Sequence, residues 1–521
     1  MPGLHRAPMY GSVVLFAFEL QTAAVNAPSE STAALLQRAV GLHQQGRYDA
    51  AALLYRQVLE REPRQFDALH LSGVMARQRG DAQGAVVLIE QALAVDARSA
   101  RAHVNLGAAL ADLGDTEAAL RSYEQAIALD PRYALAYSNR GNALRALGRL
   151  DQAIASYERA LAIDPAAFEA ACGRAVAFND QGRHAAALRS AEQALALRPR
   201  HVEAWAARGN ALHGMGRFSA ALECFTHAAG IGGERADLAG WRGGAQFKLG
   251  RFEAALASFD ASLALRPGHA GVHLRRAHAL DALGRREQAI AAFEHALQLG
   301  ADAGEVRFAL AALGAAAAPD AAPAAYVAAL FDQYAGHFDA HLVEELAYRT
   351  PALIGAALAR HGTATQLDTV DLGCGTGLCA AVLRPLSATL TGVDLSAAML
   401  EKAHARGYDA LVCADLVAYL MALDDAVDLL VAADVLVYLG DLAPLFAAAR
   451  RALRRGGRFC FSVELAAGAG FELKASRRYG HADDYIAALA ARTGFTVLEA
   501  TGVVLRRDRG ADVDGRIYLL D

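Results

Sequence analysis

A glycine-rich stretch in the second half of the 521-residue chain has the residue types and spacing of a ligand-binding loop. It runs from Asp371 to Gly377 as Asp-Leu-Gly-Cys-Gly-Thr-Gly, between a predicted buried strand (366–372) and a predicted helix (378–386). A turn of this kind lets a ligand approach the backbone closely. Leu378 stands where a dinucleotide-binding loop has its third glycine, and the Gly-Lys-Ser/Thr ending of a phosphate-binding loop is missing. The spacing therefore predicts a different small-molecule site.

Asp394, Asp415 and Asp434 each follow a further predicted strand. These strands are expected at 389–393, 408–413 and 427–432. They alternate with helical segments, and a further strand is expected at 458–463, so the pattern favours a doubly wound parallel sheet. Ligands of such sheets bind beyond the carboxyl ends of the strands. Each aspartate taken singly could also be a helix N-cap.

The Asp371–Gly377 stretch resembles motif I of class I S-adenosylmethionine-dependent methyltransferases. The resemblance implies an α/β Rossmann-like domain, S-adenosylmethionine as cofactor and S-adenosylhomocysteine as product. It implies cofactor-binding roles for Asp371, Gly373, Cys374, Gly375, Gly377, Asp394, Leu395, Ser396, Met399, Asp415 and Leu416. In the family pattern, Asp371 acts on the methionine amino group, Asp394 on the ribose hydroxyls and Asp415 on the adenine. Ser396 could instead serve only as a helix cap, and Met399 could simply pack in the core.

Methyl transfer from a sulfonium starts from an activated donor, so alignment supplies much of the rate and a general base is optional. No catalytic residue is therefore required by the sequence. Weak candidates on the acceptor side are Asp434, Tyr334, His337, His341, Tyr438, Tyr479 and His481. Each could equally be a surface or packing residue. No metal site is predicted, because the six cysteines form no CxxC pair.

The first half of the chain repeats itself every 34 residues. Glycines recur at Gly46, Gly80, Gly114, Gly148, Gly182, Gly216, Gly250 and Gly284. An alanine stands five residues after each glycine, and a bulky residue follows four later in seven of the eight copies. Apolar residues have the helical period on both sides of the glycine. The pattern resembles the tetratricopeptide repeat, which implies an α-solenoid of stacked helix pairs.

The resemblance to tetratricopeptide repeats implies a protein or peptide partner on the concave face of the solenoid. Candidate groove residues on the first helices are Asn105, Asn139, Asn142, Asn179, Asn210 and His213. An asparagine amide can hydrogen-bond an extended peptide backbone. Asparagine on a helix surface is also common without any such role.

Four segments are predicted from these patterns. Residues 1–31 form an N-terminal extension, 32–301 hold eight repeats, 302–325 hold a capping helix and an Ala/Pro linker, and 326–521 form the methyltransferase domain. The segment LFDQYAGHFDAHLVEEL that opens the last domain resembles a bacterial group that joins these repeats to a methyltransferase.

Composition narrows the function classes further. The net charge of −5 argues against a nucleic-acid partner, and no stretch of about 20 apolar residues predicts a transmembrane segment. Scattered cysteines favour a reducing, cytoplasmic location. We therefore expect a methyltransferase with an unidentified acceptor, whose repeats recruit a protein partner or substrate. The alternative is an interaction adaptor that carries an inactive methyltransferase fold.

Overall fold

The computed structural model describes residues 30–336, 338–340, 342, 346, 348–508 and 511–521. By its internal packing the chain forms two compact units, with the boundary between Arg208 and Gly209. Each unit is described by itself. No helix in the described part of the chain is long and apolar enough to cross a membrane. The segment boundaries predicted above stay predictions, and the extension 1–29 lies outside the described residues.

Between residues 32 and 312 the structure describes seventeen helices, which confirms the predicted repeat architecture. They are α1 (Thr32–Gln44), α2 (Tyr48–Arg61), α3 (Phe66–Gln78), α4 (Ala82–Leu93), α5 (Ala100–Asp112), α6 (Thr116–Leu129), α7 (Ala134–Ala146), α8 (Leu150–Ile163), α9 (Phe168–Asp180), α10 (His184–Leu197), α11 (Val202–Gly214), α12 (Phe218–Gly232), α13 (Ala236–Lys248), α14 (Phe252–Leu265), α15 (Ala270–Ala282), α16 (Arg286–Gln298) and α17 (Ala303–Ala312).

Each helix pair turns at the periodic glycine, as Gly114 illustrates. Its φ of 83° is a left-handed conformation that residues with a Cβ adopt only at a cost. Ala119, five residues later, is fully buried, so the second helix can approach the first closely. Tyr123 then fills the space over Gly107, where a Cβ would lie 2.6 Å from the ring. Gly107 belongs to a second 34-residue series of small residues that the sequence reasoning did not use.

The second unit contains the last repeats and a nine-stranded sheet. The strands are β1 (Leu367–Leu372), β2 (Ser387–Asp394), β3 (Ala410–Cys413), β4 (Val427–Ala432), β5 (Leu453–Leu465), β6 (Phe471–Leu473), β7 (Tyr479–His481), β8 (Val497–Asp508) and β9 (Ala511–Leu520). The first five are parallel in the order β3-β2-β1-β4-β5, with a switch point between β1 and β4. This is the predicted Rossmann-like arrangement, in which ligands bind at the switch point.

Two hairpins border β5, which pairs with β9 in the antiparallel and with β7 in the parallel direction. β9 pairs with Phe459–Glu464, and β8 pairs with β9. β7 pairs with Glu464 and Leu465. Because β9 holds the other edge of β5 at Glu464, β7 must lie on the β4 side, beyond the carboxyl end of β4. The β6–β7 hairpin therefore stands over the edge where ligands bind.

Helices cover both faces of the sheet. The remaining helices are α18 (Ala324–Tyr334), α19 (Phe338–Ala340), α20 (Thr350–Arg360), α21 (Ala380–Leu383), α22 (Ala397–Ala403), α23 (Leu416–Met421), α24 (Ala443–Ala452) and α25 (Asp483–Thr493). One apolar core joins the sheet to α23, α24 and α25, and the other joins it to α20 and α21. The predicted helix 378–386 is shorter than expected. A turn precedes α21 and a 3₁₀ turn follows at Arg384–Leu386, where Pro385 lacks the N–H that an α-helix needs.

The Ala/Pro segment after α17 is tied to the sheet domain and is not a loose linker. The backbone carbonyl of Asp320 accepts from the N–H groups of Gly440 and Asp441, at 2.7 and 2.9 Å. Ala322 donates its N–H to the carbonyl of Tyr438 at 2.8 Å. These bonds fix the last repeat to the sheet domain.

Arg477, in the turn between β6 and β7, makes the second attachment. Its guanidinium donates to Asp281 at 2.8 Å and lies 3.1 Å from Nδ1 of His278, both on α15. The Arg477 and Asp281 side chains are only 16% and 28% exposed, so solvent screens this ion pair weakly.

We expect Arg477→Ala to lower the stability of the unit by about 1–3 kcal/mol, because a partly buried charge would lose its partner. Arg77→Ala is the matched control, since Arg77 also joins neighbouring elements through an aspartate, Asp112, but the two side chains are 40% and 44% exposed. The control should cost no more than about 1 kcal/mol. Calorimetric unfolding of the full chain measures both losses of stability. Equal losses would contradict the conclusion that solvent screens the Arg477–Asp281 ion pair only weakly.

Candidate functional site

The turn after β1 has the conformation that its glycines predict. Gly373, Gly375 and Gly377 have φ values of 71°, 54° and 88°. Gly373 and Gly377 are tightly packed. A Cβ on Gly373 would lie 2.4 Å from Val435, and a Cβ on Gly377 would lie 2.9 Å from Tyr408. Gly375 differs: the nearest atom to a Cβ would be Phe338 Cε1, at 3.8 Å. The loop is therefore held at its two ends, whereas its middle glycine has room for a Cβ in ordinary contact with Phe338.

Asp371, at the end of β1, is 1% exposed. Tyr408 donates to its Oδ2 at 2.6 Å, whereas the buried Oδ1 has no hydrogen-bond partner among the described residues. Burial raises the pKa of Asp371 to about 7, with the charge of Asp394 adding to the rise and the Tyr408 hydrogen bond opposing it. A buried carboxylate oxygen without a donor is costly. It is therefore suited to receive a donor from a ligand.

Asp394, at the end of β2, holds the glycine loop in place. One carboxylate oxygen accepts from Gly375 N at 2.9 Å and the other from Ser396 N at 2.8 Å. Burial raises the pKa of Asp394, while these backbone bonds oppose the rise. Two backbone bonds leave lone pairs on both oxygens, so ribose hydroxyls could still bind. Leu395 beside it is half-buried.

The remaining predicted cofactor residues have clear local roles. Ser396 caps α22 by accepting from Met399 N at 3.1 Å, and Met399 is fully buried. Asp415 is exposed at the end of β3 and caps α23 through Ala418 N at 2.9 Å, with Leu416 buried behind it. The structure therefore contains the helix-capping contacts of Ser396 and Asp415 and the core packing of Met399, which are the alternatives to a cofactor-binding role. Cys374 is buried, and this burial raises the pKa of its thiol.

The sequence reasoning missed two carboxylates that precede β1. Asp332 on α18 accepts from Ser396 Oγ at 2.6 Å and from Ala398 N at 3.2 Å, at the start of α22. Asp339 on α19 pairs with Arg406 and accepts from the hydroxyl of Thr376 in the glycine loop. These contacts hold the segment before β1 against the loop.

Aromatic rings extend from this segment along the site. Phe338, which faces Gly375, packs edge-on against Phe331 with ring centres 6.0 Å apart. Phe331 packs in the same way against Tyr438, at 5.5 Å. Tyr334 packs on Phe338 at 5.3 Å. We call Phe331, Phe338 and Tyr438 the aromatic wall.

Asp434, after β4, lies in a buried ion-pair network. Both of its oxygens accept from Nη1 of Arg506 on β8, at 2.7 and 2.6 Å. Arg506 is 2% exposed and also donates to Glu464 at the end of β5. Asp434 has a φ of 56°, rare for a residue with a Cβ, and Ser462 Oγ accepts from its N–H at 2.8 Å. No sequence motif indicated Arg506 or Glu464.

Tyr479 and His481 serve the packing of the β6–β7 hairpin. Both are fully buried. Tyr479 donates its hydroxyl to the carbonyl of Pro319 at 2.6 Å. His481 Nε2 lies 2.9 Å from the carbonyl of Leu439, and burial lowers the pKa of His481 to about 4. These contacts support the packing alternative for both residues. His337 and His341 lie outside the described residues.

The predicted groove asparagines are partly used inside the repeats. Asn105 Nδ2 lies 2.8 Å from His70 Nε2, and Asn142 accepts from the Tyr157 hydroxyl at 2.7 Å. Asn179, the further candidate, donates to the carbonyl of Ala207 at 2.8 Å. Asn139 and Asn210 are half-buried on their helices. A peptide-binding role for this set stays a prediction.

The fold and the site define a helical-repeat protein whose Rossmann-like domain carries a glycine loop at its switch point. A family model described as a methyltransferase domain matches residues 370–461. Two models described as tetratricopeptide repeats match 36–100, 104–168, 172–225 and 207–270, and 246–313. The chain is therefore a tetratricopeptide-repeat protein with a class I methyltransferase domain. No curated protein matches the chain.

Several solved repeat structures are similar to parts of the chain. The Cut9–Hcn1 hetero-tetramer of APC/C is 18% identical, with a TM-score of 0.42 over 55% of this chain and 56% of that one. MamA is 26% identical, with a TM-score of 0.29 over 31% of this chain and 95% of that one. TTC0263, a thermophilic TPR protein in Thermus thermophilus, is 27% identical, with a TM-score of 0.31 over 35% of this chain and 100% of that one.

The buried Asp371 predicts a pH dependence of stability. Its folded pKa of about 7 lies above the unfolded value of about 3.9, so its contribution is fully present below pH 4 and is lost as pH rises through 7. Asp371→Asn removes the ionisable group and therefore this loss of stability at higher pH. We expect the stability of the variant relative to the natural protein to rise by about 2–3 kcal/mol between pH 5 and 8. Thermal unfolding at both pH values measures it.

Asp415→Asn is the control for that comparison, because Asp415 is exposed at a neighbouring strand end and asparagine also caps helices well. Its stability relative to the natural protein should change little between the two pH values. If the stability of Asp371→Asn relative to the natural protein stays constant or falls from pH 5 to pH 8, the burial of an unpaired carboxyl is contradicted.

Arg506→Met should destabilise the sheet domain by about 3–5 kcal/mol, because two buried carboxylates would lose their shared cation. The neighbouring Arg507 pairs with Asp512 at the surface, where the two side chains are 63% and 52% exposed. Arg507→Met should therefore cost less than about 1 kcal/mol. Denaturant unfolding followed by circular dichroism compares the two, and similar losses would argue against the network.

Proposed function

We propose that the protein is an S-adenosylmethionine-dependent methyltransferase. One observation carries the proposal: a buried carboxylate oxygen of Asp371, which has no hydrogen-bond partner among the described residues, stands beside a glycine loop whose middle residue, Gly375, has room for a Cβ. An ammonium group would satisfy the carboxylate, and a loop without side chains would admit the rest of the ligand. The methionine part of S-adenosylmethionine has that ammonium group.

The residues present fit this cofactor. Asp371, Gly373 and Gly375 would hold its methionine part, Asp394 its ribose and Asp415 its adenine end. Cys374, Gly377, Leu395, Ser396, Met399 and Leu416 would support these positions through backbone or packing. When bound, the cofactor supplies an electrophilic methyl group.

The chain's own residues would bind and align the acceptor. The aromatic wall would exclude water from one side of a bound acceptor, which would strengthen electrostatic interactions there. Asp434 is engaged through both oxygens by Arg506, which favours an orienting, electrostatic role over proton transfer. An acceptor that reaches the site unprotonated or acidic needs no general base. Tyr334 and Tyr438 remain candidates for contact with the acceptor.

The repeats would recruit a protein partner or a protein-bound substrate, since stacked helix pairs offer extended binding surfaces. The six cysteines form no disulfide in the described part of the chain and five of them are buried, which favours a reducing compartment such as the cytoplasm. The net charge of −5 favours a partner other than nucleic acid. The alternative is an adaptor that keeps the methyltransferase fold only as a scaffold.

Calorimetric titration of the full chain with S-adenosylhomocysteine separates the two functions. We expect one molecule to bind per chain, with an affinity that rises from pH 6 to 8, because Asp371 must be ionised to accept the ammonium group. Binding that is absent in folded protein would support the adaptor.

Gly375→Ala should weaken S-adenosylhomocysteine binding by roughly tenfold or more, because a Cβ would enter ligand space. Gly456→Ala is the control: Gly456 also has a positive φ, 78°, with no described atom within 4 Å of a Cβ, and lies in β5. Both variants place a Cβ on a residue with positive φ, so stability should fall in both. Equal affinity of the two variants for S-adenosylhomocysteine would show that Gly375 does not border the bound ligand.

A further inference from the structure

Three cations meet two carboxylates in the ion-pair network beyond β4 and β5. Arg506 engages both Asp434 and Glu464, and Lys474 Nζ donates to the second oxygen of Glu464 at 3.2 Å. Arg478 Nη1 lies 3.9 Å from Glu464 Oε1, beyond hydrogen-bond distance. We call these five side chains the cation cluster. It contains one more positive charge than its carboxylates neutralise.

Arg478 is the cation of the cluster that makes no hydrogen bond to a carboxylate among the described residues. Its hydrogen-bond contact is the neutral phenol of Tyr438. The side chain is only 26% exposed, so water stabilises the charge incompletely. A guanidinium has five N–H donors in a planar fork, and a half-buried cation is costly unless it is paired. Arg506, by contrast, donates hydrogen bonds to both neighbouring carboxylates, Asp434 and Glu464.

The backbone that carries Arg478 is anchored on both sides. Arg477, before it, has a φ of 62° and is tied to Asp281 on α15. Tyr479, after it, is tied through its hydroxyl to the carbonyl of Pro319. The last repeat and the segment after it thus hold the hairpin from outside while Arg478 meets the cluster. Such fixed placement reduces the entropy that binding would cost.

The cation cluster adjoins the proposed cofactor site. Tyr438, which contacts Arg478, is one end of the aromatic wall, and Phe338 at the other end faces Gly375. Asp434 belongs to the cluster and follows β4, next to β1 in the sheet. A molecule lying along the wall would therefore have the glycine loop at one end and Arg478 at the other.

We infer that Arg478 binds an oxyanion, a carboxylate or a phosphate, of the methyl acceptor. The inference rests on the proposed function and adds the chemical class of its acceptor. Both groups match the guanidinium fork through paired N–H···O bonds, and either would neutralise the surplus charge of the cation cluster. The last repeat then serves the acceptor site directly, because it anchors the residue before Arg478.

The test uses the full chain saturated with S-adenosylhomocysteine. Sodium phosphate and sodium acetate are titrated separately against sodium chloride of equal ionic strength, and the midpoint of thermal unfolding is followed. We expect a saturable rise in the millimolar range with at least one oxyanion. Phosphate acting at lower concentration indicates a phosphorylated acceptor, and acetate acting at lower concentration indicates a carboxylic acid.

Arg478→Gln should weaken this response by roughly tenfold or more, and Arg478→Lys, which keeps the charge without the fork, should weaken it less. Arg516→Gln is the matched control, since Arg516 is also 26% exposed but lies 2.9 Å from Asp483. It should respond as the natural protein does. Equal responses in all the proteins, or no saturable response in the natural one, would overturn the inference.

Binding of S-adenosylhomocysteine, measured on the same samples, separates the two failures. If it binds and the oxyanion response is missing, the inference about Arg478 fails and the proposed function stands. If it does not bind, the proposed function itself fails. Retained binding by Arg478→Gln also shows that this variant is folded.

Discussion

Five carboxylates gather along the carboxyl edge of the sheet, and the need to compensate their charges shapes the structure around them. Each is stabilised differently. Asp371 accepts a hydrogen bond from Tyr408 and has a raised pKa. Asp394 accepts from backbone N–H groups, and Asp415 accepts from a backbone N–H at the start of α23. Asp434 and Glu464 share Arg506. Among these five, only Asp371 keeps a buried oxygen without a partner in the described part of the chain, which distinguishes the glycine loop from the rest of this edge.

The shared cation explains why the sheet continues past its parallel strands. Arg506 can reach both carboxylates only because β9 pairs with β5 and brings β8 alongside. Replacing one carboxylate or the cation alone would leave an uncompensated buried charge. The antiparallel hairpin is therefore part of the site, although Arg506 lies 72 residues from Asp434 along the chain.

Local pattern predicted most of the repeats and the alternation of parallel strands with helices, because helix turns, close helix contacts and strand ends each leave a signal at fixed spacing. It could not predict Asp332, Asp339 or Arg506. Their partners lie 37 to 72 residues away, and nothing in the neighbouring sequence distinguishes them from surface charges. The Ala/Pro composition of 315–325 likewise does not indicate the contacts of this segment. Its backbone bonds to Gly440 and Asp441, which composition does not encode, make it an attachment.

A scaffold without catalytic function would gain nothing from the arrangement at Asp371. Asparagine at this position could keep a bond to Tyr408 without the burden of a buried ionisable group, and residues with side chains could fill the space at Gly375. The chain instead keeps a glycine loop beside a carboxyl with one oxygen that has no partner among the described residues. This buried carboxyl costs stability, and a ligand with an ammonium group would offset that cost on binding. The cost at Asp371 therefore favours the enzyme over the adaptor.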